Sequence, residues 1–438
     1  MKKIIIYTIA IICPFFIEAQ TTWSLKECIN HAINNNLSIQ RTQVDVNQSE
    51  INVNTSKWSR LPNLGASAGQ NFSWGRSASP VDNTYTNINS ASSSFSLSTN
   101  VPLFTGGQLH NQYLASQLDL KAAVEDLNKA KEDMSVNVTS LYIKVLYNLE
   151  ISNVAKEQHA LSTEQLKRVE RLLELGKTSP DKVSEAKARI AQDEMSVVQA
   201  DNNYKLSLLD LSQALELSTP DGFNIVIPNS DISFLPLTAP NELYEQALDI
   251  KPSIKAAQYR LDVSEKNIRI AQSAYLPQLS LGAGLGSNFY STNGRASSSF
   301  FNQLDKNLNE YVGINLSIPI FNRFSTRNRV NSAKLQQTAL SIRLDETKKA
   351  LYKEIQQSWY NALAAETKYN ASITAVKANE EAFNLISKKL ENDKATSIEF
   401  NEAKLNLMKS VSDQIQAKYD YIFCAKILDF YKGIPIEL

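Results

Sequence analysis

The strongest constraint on this chain is an internal duplication. Three segments of the first half return in the second at a nearly constant spacing of 215 or 217 positions: RLPNL (60–64) as YLPQL (275–279), VPLFTGG (101–107) as IPIFNRF (318–324), and SEAKARI (184–190) as NEAKLNL (401–407). The 438 residues are therefore predicted to contain one structural unit of roughly 215 residues, built twice.

Gly and Pro residues divide both halves in the same way. Both are concentrated at 62–107 and 277–319, and a further Pro-rich stretch joins the halves at 220–252. Neither residue occurs in five long stretches: 21–61, 108–175, 181–219, 253–276 and 325–432. Because Gly and Pro are unfavourable inside helices, each half is predicted to contain a medium helix, two strands, a very long helix, a turn and a returning helix, in that order.

These boundaries give two structural repeats. We expect the first at 20–219 and the second at 241–438, with a linker at 220–240 between them. Each repeat has two strands and a long helical hairpin with a turn at its tip: strands at 62–74 and 93–104 with a tip at 175–180 in the first, and strands at 278–290 and 309–320 with a tip at 391–397 in the second.

The strand segments alternate between apolar and small polar residues with a period of two. Phe95 and Leu97 alternate with serines, and the second half repeats the pattern from Val312 to Ile320. Strands of about ten residues with one apolar face and one face of Ser, Asn and Gly are typical of membrane strands around a watery lumen. The alternative is the edge of a soluble β-sandwich. It is disfavoured because the segments between the strands, 75–92 and 291–308, are predicted as Ser/Asn-rich loops and supply no partner sheet.

Four strands are too few to close a barrel, since about eight are needed. Open sheet edges are not tolerated in lipid. The strands must therefore be completed by other copies of the chain, and three copies of four strands would give a 12-stranded trimeric β-barrel.

The helical segments favour an elongated hairpin. The first long helix, 106–175, would measure about 100 Å at 1.5 Å per residue. Its apolar residues follow heptad spacing: Leu120, Val124, Leu127, Met134, Val138, Leu141 and Val145. The returning helix can pack against this seam in antiparallel fashion. Since the other faces are rich in Lys, Glu, Gln and Asn, we expect the hairpin to lie in water and to pack laterally against copies of itself.

Residues 1–19 are predicted to be a secretory signal peptide. Two lysines precede an apolar run from Ile4 to Ile17, and Ile17-Glu18-Ala19 is a suitable cleavage site. The alternative is an N-terminal membrane anchor, but the run is short and Pro14 interrupts it. Two cysteines follow this segment, Cys28 and Cys424; they could pair in an oxidising compartment, although two buried free thiols are the simpler interpretation.

The sequence contains no candidate catalytic residue, cofactor site or metal site. Gly176-Lys177-Thr178 is similar to the end of a phosphate-binding loop, but that motif needs a preceding strand and a glycine where Arg171 stands. The three histidines are isolated and lack metal-ligand spacing: His31, His110 and His159. The 45 basic and 45 acidic residues give no basic excess, so a nucleic-acid partner is excluded. We conclude that the chain is not an enzyme.

The segment around Gly176 is better interpreted as a turn between two helices. Gly176 is suited to end the first helix in the left-handed conformation. Ser179 is then the N-cap of the next helix, with Pro180 at its first position. In the second half Thr396 and Glu399 have the spacing of a capping box, although Gly is missing from this second turn.

The duplicated motifs resemble those of the TolC-like outer-membrane efflux protein family over residues 20–438. The motifs that carry the resemblance are the paired RLPNL and YLPQL, the paired VPLFTGG and IPIFNRF, and the turn segments RLLELGKTSPDKVSEA and KKLENDKATSIEFNEA. The resemblance implies a mainly α-helical homotrimer with a β membrane domain, in which a trimeric α-helical barrel forms a tunnel through the periplasm. It also implies a passive duct in the bacterial outer membrane that works without a cofactor. A periplasmic adaptor protein and an inner-membrane pump, proton-driven or ATP-driven, would supply substrate and energy.

The resemblance also places functional residues at the helical turns. The adaptor-docking tip would comprise Leu175, Gly176, Lys177, Thr178 and Ser179 together with Asn392, Asp393, Lys394, Ala395 and Thr396. Glu399 and Glu402 match the acidic ring at the periplasmic entrance. In a trimer these carboxylates would raise one another's pKa values and favour cations, although Glu399 could equally serve only as a helix cap. Lys182 stands where the family commonly has Asp.

The cargo and the class of export remain open at this stage. Small-molecule, drug or metal efflux is the leading expectation, and the exit duct of an ATP-driven protein secretion system is the alternative. A trimeric coiled-coil surface adhesin with a strand anchor is an alternative of a different class. That architecture gives no reason to duplicate strands and hairpins in step.

Overall fold

The computed structural model describes residues 22–78, 83–87, 89–219, 222–228, 238–292, 297–392 and 394–437. The predicted signal peptide at 1–19, and part of the predicted linker at 220–240, lie outside these described residues. The helices are α1 (Leu25–Asn35), α2 (Leu37–Trp58), α3 (Gln108–Glu174), α4 (Pro180–Ala214), α5 (Pro240–Ile250), α6 (Pro252–Ser273), α7 (Phe300–Lys306), α8 (Ser325–Glu391) and α9 (Ser397–Tyr431). The strands are β1 (Thr22–Trp23), β2 (Asn63–Ser73), β3 (Arg76–Ala78), β4 (Tyr85–Asn87), β5 (Ser90–Phe104), β6 (Asn224–Ile225), β7 (Gln278–Thr292) and β8 (Asn309–Ser317).

The fold class is confirmed at the level of one chain, which is mainly helical and carries a four-stranded antiparallel sheet. The strands follow the order β2-β5-β7-β8, so the sheet combines two strands from each half of the sequence. β8 ends at Ser317, short of the expected 320, because Pro319 has no amide hydrogen for the ladder. β5 begins at Ser90 rather than 93, since a run of serines gives no apolar alternation to detect.

The sheet has two chemically different faces. Because side chains alternate between faces along a strand, the register identifies which residues share a side. One face is small and polar, with cross-strand rungs such as Gly65, Ser98, Gly284 and Tyr311. The opposite face is largely apolar, with rungs such as Leu64, Thr99, Ala283 and Val312, or Leu281 and Ile314.

The segments between the strands are more ordered than loops. The expected loop at 75–92 contains β3 and β4, which form an antiparallel hairpin in which Arg76 pairs with Asn87. The expected loop at 291–308 contains α7. Their Ser- and Asn-rich composition conceals these short elements, because each is held by contacts with the sheet or with its partner strand rather than by its own propensity.

The medium helix expected before each strand pair is instead two helices. α1 and α2 are separated at Asn36, which is extended and whose side-chain oxygen accepts from the Ser38 amide. α5 and α6 are separated at Lys251, which is extended because the residue before a proline disfavours the helical conformation.

The chain separates into two compact units, and each draws on both halves of the sequence. Unit 1 comprises residues 1–41, 128–251 and 349–438, and unit 2 comprises residues 42–127 and 252–348. In unit 1 the side chains of Tyr142, Leu146 and Leu211 form part of a buried core beneath the parallel pair β1 and β6. Each fully buried aliphatic side chain of this kind stabilises the fold by about 1.5–3 kcal/mol.

Two observations in unit 1 bear on the sequence predictions. The returning helix α4 packs antiparallel to α3, as ion pairs such as Lys144–Asp210 and Lys187–Glu170 show. Cys28 and Cys424 are both free, so the structure has the two separate thiols and not the disulfide. Burial raises the pKa of the Cys424 thiol to about 11.

In unit 2 the sheet connects to the helices through the motif that the sequence repeats. Gly106 has φ +62°, and a Cβ atom there would lie 2.8 Å from the carbonyl oxygen of Ser273 in α6. Gly106, the first glycine of VPLFTGG, is therefore favoured both by the backbone conformation and by the close approach of α6.

Among the helices that the structure describes, none combines the length and the hydropathy that a membrane-spanning helix needs.

Candidate functional site

The first helical turn closes α3 with a Schellman motif. The Lys177 amide donates to the Leu172 carbonyl over 2.8 Å, and the Gly176 amide donates to the Leu173 carbonyl over 2.9 Å. Gly176 has φ +70°, the left-handed conformation that this motif needs and that glycine adopts without strain. A Cβ atom at Gly176 would meet nothing within 4 Å, so the site is open to solvent and its constraint is conformational.

The second turn closes α8 with the same type of backbone hydrogen bond as the one between Lys177 and Leu172, from the amide of residue i to the carbonyl of residue i−5. The Lys394 amide donates to the Lys389 carbonyl over 2.8 Å, and the Asn392 side chain donates to the Lys388 carbonyl. The predicted docking residue Asp393 lies outside the described residues. The Asn392 side chain thus caps carbonyls at a turn that lacks glycine.

The two returning helices begin with different caps. Thr396 and Glu399 form the predicted capping box: the Glu399 amide donates to Thr396 Oγ1 over 3.2 Å, and the Thr396 amide donates to the Glu399 carboxylate over 2.7 Å. Ser179 occupies the predicted N-cap position, but its hydroxyl pairs with the Asp181 carboxylate instead of capping the helix backbone. This hydrogen bond is the main cause that lowers the pKa of Asp181.

The structure brings the two turns together in unit 1. Arg168 of α3 donates to the Leu390 carbonyl at the end of α8. A small depression with a volume of about 30 Å³ is lined by α3 and by the beginnings of both returning helices, including Lys182, Glu185, Ser397 and Phe400. Beside it the surface exposes two large apolar side chains, Leu175 at 62% and Ile398 at 70%.

A buried charged cluster, which we call the lysine cluster, lies further along the helices from the two turns. It comprises Lys404 of α9, Asp193 and Arg189 of α4, and Gln158 and Ser162 of α3. The Lys404 ammonium lies 3.1 Å from Asp193 Oδ2, and the two side chains are 1% and 2% exposed. Lys404 also donates to the Ser162 hydroxyl and to the Gln158 carbonyl.

The same cluster satisfies the Asp193 carboxylate. Asp193 accepts hydrogen bonds from the Gln158 amide at 2.9 Å and from the Ser162 hydroxyl, and its Oδ1 lies 3.4 Å from Arg189 Nε. Burial lowers the pKa of Lys404 below its ordinary value, while the hydrogen bond to Asp193 acts in the opposite direction. The cluster therefore ties three helices together through two charges that depend on each other.

A comparison with known protein families decides what this arrangement belongs to. The family model described as "Outer membrane efflux protein" matches residues 28–216 and 243–423, which is most of the chain and both repeats. The chain belongs to this family. It is therefore a bacterial outer-membrane channel, and a transporter rather than an enzyme.

Individual relatives are distant but cover almost the whole channel. The chain is 22% identical to the outer membrane protein TolC of Escherichia coli, over 96% of this chain and 84% of that protein. It is 20% identical to the outer membrane efflux protein BepC of Brucella suis, over 94% of this chain and 85% of that protein. The crystal structure of the CmeC outer membrane channel of Campylobacter jejuni matches with a TM-score of 0.79 at 18% identity, over 94% and 86% of the two chains, and this likeness supports the fold.

Sequence reasoning located the turns of this efflux channel but missed the lysine cluster. Lys404 lies in NEAKLNL, whose first-repeat counterpart SEAKARI carries Lys187. Lys187 has 62% of its side chain exposed and pairs with Glu170. Comparison of the two repeats therefore predicts that Lys404 is also a surface residue. The signal that could have indicated the cluster is Asp193, a carboxylate in α4 for which the second repeat has Ser410.

The expected entrance residues are placed as follows in the single chain. Glu399 is part of the capping box, and hydrogen bonds from the Thr396 amide and hydroxyl lower its pKa below the ordinary value. This direction is opposite to the one expected from crowding in a trimer. Glu402 is exposed one turn further along α9. Lys182 is partly exposed and forms an ion pair with Glu185 at 2.9 Å.

Proposed function

We propose that the protein is the homotrimeric exit duct of a tripartite export system for small molecules or metal ions. An inner-membrane pump would drive transport, and a periplasmic adaptor would join the pump to the duct. The observation that carries the proposal is the four-stranded sheet, which has one polar face, one apolar face and two edges open in a single chain.

The open edges support a trimer. Every residue of β2 and of β8 is exposed, and these two strands form the edges of the sheet. Exposed backbone groups at such an edge cost several kcal/mol each in lipid. Pairing of β8 of one copy with β2 of the next satisfies them, and three copies supply the 12 strands of a closed barrel.

The polar face supports a lumen that conducts unselectively. Its rungs are built from Ser, Gly and Asn, with Tyr311 beside Gly284, so it presents hydroxyl and amide groups without a ring of charge. Such a surface wets a pore and leaves the choice of cargo to the pump. Efflux, rather than polypeptide secretion, is supported by the family description and by the similarity to BepC, an outer membrane efflux protein.

The two turns support docking of an adaptor. Leu175, Gly176, Lys177, Thr178 and Ser179 form one half of the proposed tip, and Asn392, Lys394, Ala395 and Thr396 form the other, with Asp393 outside the described residues. The exposed Leu175 is costly in water, and a partner that covers it would gain apolar burial. Glu399 and Glu402 would form the acidic ring at the entrance, with Glu399 serving as a cap as well.

Export is tested in the source bacterium by deleting the gene. The deletion strain should accumulate a fluorescent dye and become sensitive to drugs or to metal ions, and a plasmid copy should restore both. Mass spectrometry of the culture medium serves as the second readout. Loss of a secreted polypeptide with unchanged dye export would refute small-molecule efflux, and the protein would then be the exit duct of a polypeptide secretion system.

The docking tip is tested by comparing Leu175→Ser with Met195→Ser. Both residues are large, apolar and exposed, at 62% and 73%, but Met195 lies in α4 away from the turn. Each variant is purified from the native host, and the adaptor that copurifies is quantified. We expect Leu175→Ser to lose adaptor and to retain a trimer, while Met195→Ser retains both. Equal adaptor recovery from the two variants would remove Leu175 from the docking site.

A further inference from the structure

The short helix α7 contacts the end of β7, where β7 extends beyond β8 and, among the described residues, has a neighbouring strand on one side only. β8 begins at Asn309, opposite Gly286, whereas β7 continues to Thr292. Over these last residues α7 takes the place of a strand. The Gln303 side chain accepts from the Tyr290 amide at 3.0 Å and donates to the Tyr290 carbonyl at 3.1 Å.

A second side chain extends this substitution. Asn307 donates to the Asn288 carbonyl over 2.7 Å. Backbone groups of a sheet edge must be satisfied within the membrane region, since lipid offers no partner. The side-chain amides of Gln303 and Asn307 do this for the end of β7.

The contacts of α7 also show which face of the sheet it covers. The Ser287 hydroxyl donates to the Leu304 carbonyl, and the Phe300 ring packs against Phe289 at 5.1 Å and Phe95 at 6.2 Å between centroids. Ser287, Phe289 and Phe95 lie on the apolar face of the sheet, because they share the alternation of Leu285 and Leu97. The helix therefore lies outside the polar lumen.

The apolar surface continues from the sheet onto α7. Phe301 is 81% exposed and contacts the edge of the Phe300 ring. Next to it Leu308, Phe95 and Leu285 line an open depression with a volume of about 440 Å³. On the polar side of the helix Asn302, Asp305 and Lys306 are exposed.

The height of α7 matches the outer rim of the apolar band. The lower end of the band is the rung of Leu279 and Leu316, next to the ends from which α3 and α8 start. Ser287 is eight residues further along β7, which is about 26 Å at about 3.3 Å per residue. A strand tilt of about 40° reduces this to about 20 Å, close to the band of about 25 Å that membrane strands present to lipid. Glu310, the first charge on the apolar face, lies opposite Leu285, one step below Ser287 on that face.

We propose that α7 anchors the channel in the outer leaflet of the outer membrane, with Phe301 inserted among the acyl chains just below the headgroups. The depression between Leu308, Phe95 and Leu285 holds part of an acyl chain. This inference rests on the proposed orientation of the sheet, with its apolar face towards lipid. Aromatic side chains at the headgroup boundary and an amphipathic helix lying in that boundary are arrangements that lipid stabilises.

The test is spin labelling of the full-length protein reconstituted into lipid vesicles. Cys28 and Cys424 are replaced by Ala, and single cysteines are placed at Phe301 and, as controls, at Val312, Asn315 and Asn302. Val312 reports the apolar face of β8, Asn315 reports its polar face, and Asn302 reports the polar side of α7. Molecular oxygen reaches labels in lipid, whereas a polar nickel complex reaches labels in water.

The expected result is that oxygen relaxes the labels at Phe301 and Val312 several-fold more than the nickel complex does, with Phe301 nearer the headgroups. The labels at Asn315 and Asn302 should show the reverse. Nickel access at Phe301 with oxygen access at Val312 would overturn the anchor and leave the orientation of the sheet intact. Nickel access at both positions would overturn the orientation as well.

Two further outcomes are decisive. An immobilised label at Phe301 that neither reagent reaches would show that a second copy of the chain covers α7, and this would overturn lipid as the occupant. If the Phe301→Cys variant fails to fold, Leu308→Cys replaces it at the other side of the depression, with the same expectation. Nickel access at Leu308 would then overturn the proposal.

Discussion

The lysine cluster yields the sharpest prediction, because each of its buried charges has the other as partner. Asp193→Leu leaves the Lys404 ammonium, 1% exposed, without its carboxylate. The ammonium must then stay charged without a counterion or lose its proton. Moving a lysine from an ordinary pKa of about 10.4 to neutrality at pH 7 costs about 4.6 kcal/mol, and this is the upper limit of the cost of leaving the ammonium without a counterion. We expect a loss of about 3–4.6 kcal/mol.

The reverse change should be somewhat less severe. In Lys404→Met the Asp193 carboxylate keeps the Gln158 amide at 2.9 Å and Arg189 at 3.4 Å, so we expect a loss of about 3 kcal/mol. The double variant Lys404→Met/Asp193→Leu places two apolar side chains together and should lie within about 1 kcal/mol of the parent. The two single losses therefore do not add, and the coupling energy between the two sites is at least about 5 kcal/mol.

Hydrogen exchange of the purified channel measures these losses where they occur. A destabilisation of about 3 kcal/mol accelerates exchange of the amides in the first turns of α9 more than about 100-fold when local opening controls it. Lys187→Met is the matched control, because it removes the repeat counterpart, which is exposed. The control should change stability by less than about 0.5 kcal/mol.

Two results would refute the reasoning. The first is a Lys404→Met variant whose exchange in α9 is no faster than that of Lys187→Met. The second is a double variant that exchanges as fast as the worse of the two single variants. Either result would mean that the charges of the lysine cluster are solvated in the working channel.

Three further predictions concern the caps and the core. The Glu399 cap should be fully effective above pH 4.5 and lost as the pH falls through the lowered folded pKa, because the unfolded chain binds the proton first; Glu399→Gln should abolish this pH dependence in exchange of the first α9 turn. Gly176→Val should cost about 1–2 kcal/mol of stability, because valine is strained at the positive φ of this position. It should impair export while the trimer still inserts, whereas Gly176→Asn should retain most of the export activity. Equal export by the parent protein and both variants would exclude Gly176 from the docking site. Tyr142→Phe should lower stability by about 1–3 kcal/mol in thermal unfolding, because its hydroxyl donates to the Val226 carbonyl.

The parts of the structure that local residue chemistry decides were predictable from sequence. Thr396 and Glu399 are three residues apart at a helix start, and that spacing alone produces the capping box observed. Gly176 has the left-handed conformation expected of the residue that ends a helix. The four sheet strands were found because alternation of apolar and polar residues survives in each of them.

Features that depend on lateral packing were not predictable. The Ser- and Asn-rich segment containing α7 has no helical signal, since Gln303 and Asn307 hold it through hydrogen bonds to the backbone of the preceding strand β7, and no periodic pattern in the sequence shows such bonds. Lys404 is another such case. Lysine is rarely buried without a partner, and its partner Asp193 lies 211 residues away.

The lysine cluster also breaks the symmetry that the duplication created. At the spacing of 217 positions, Lys404 corresponds to Lys187, whereas Asp193 corresponds to Ser410 and Ser162 to Asn379. The counterpart of the cluster therefore has an ammonium but no carboxylate, and burying Lys187 there would leave a charge without a counterion. In the proposed trimer we expect the hairpins of the two repeats to alternate around the tunnel, which would place this counterpart between neighbouring copies. The seam inside each chain is held by a buried ion pair that the seam between chains cannot form, and an entrance that opens would therefore part first between copies.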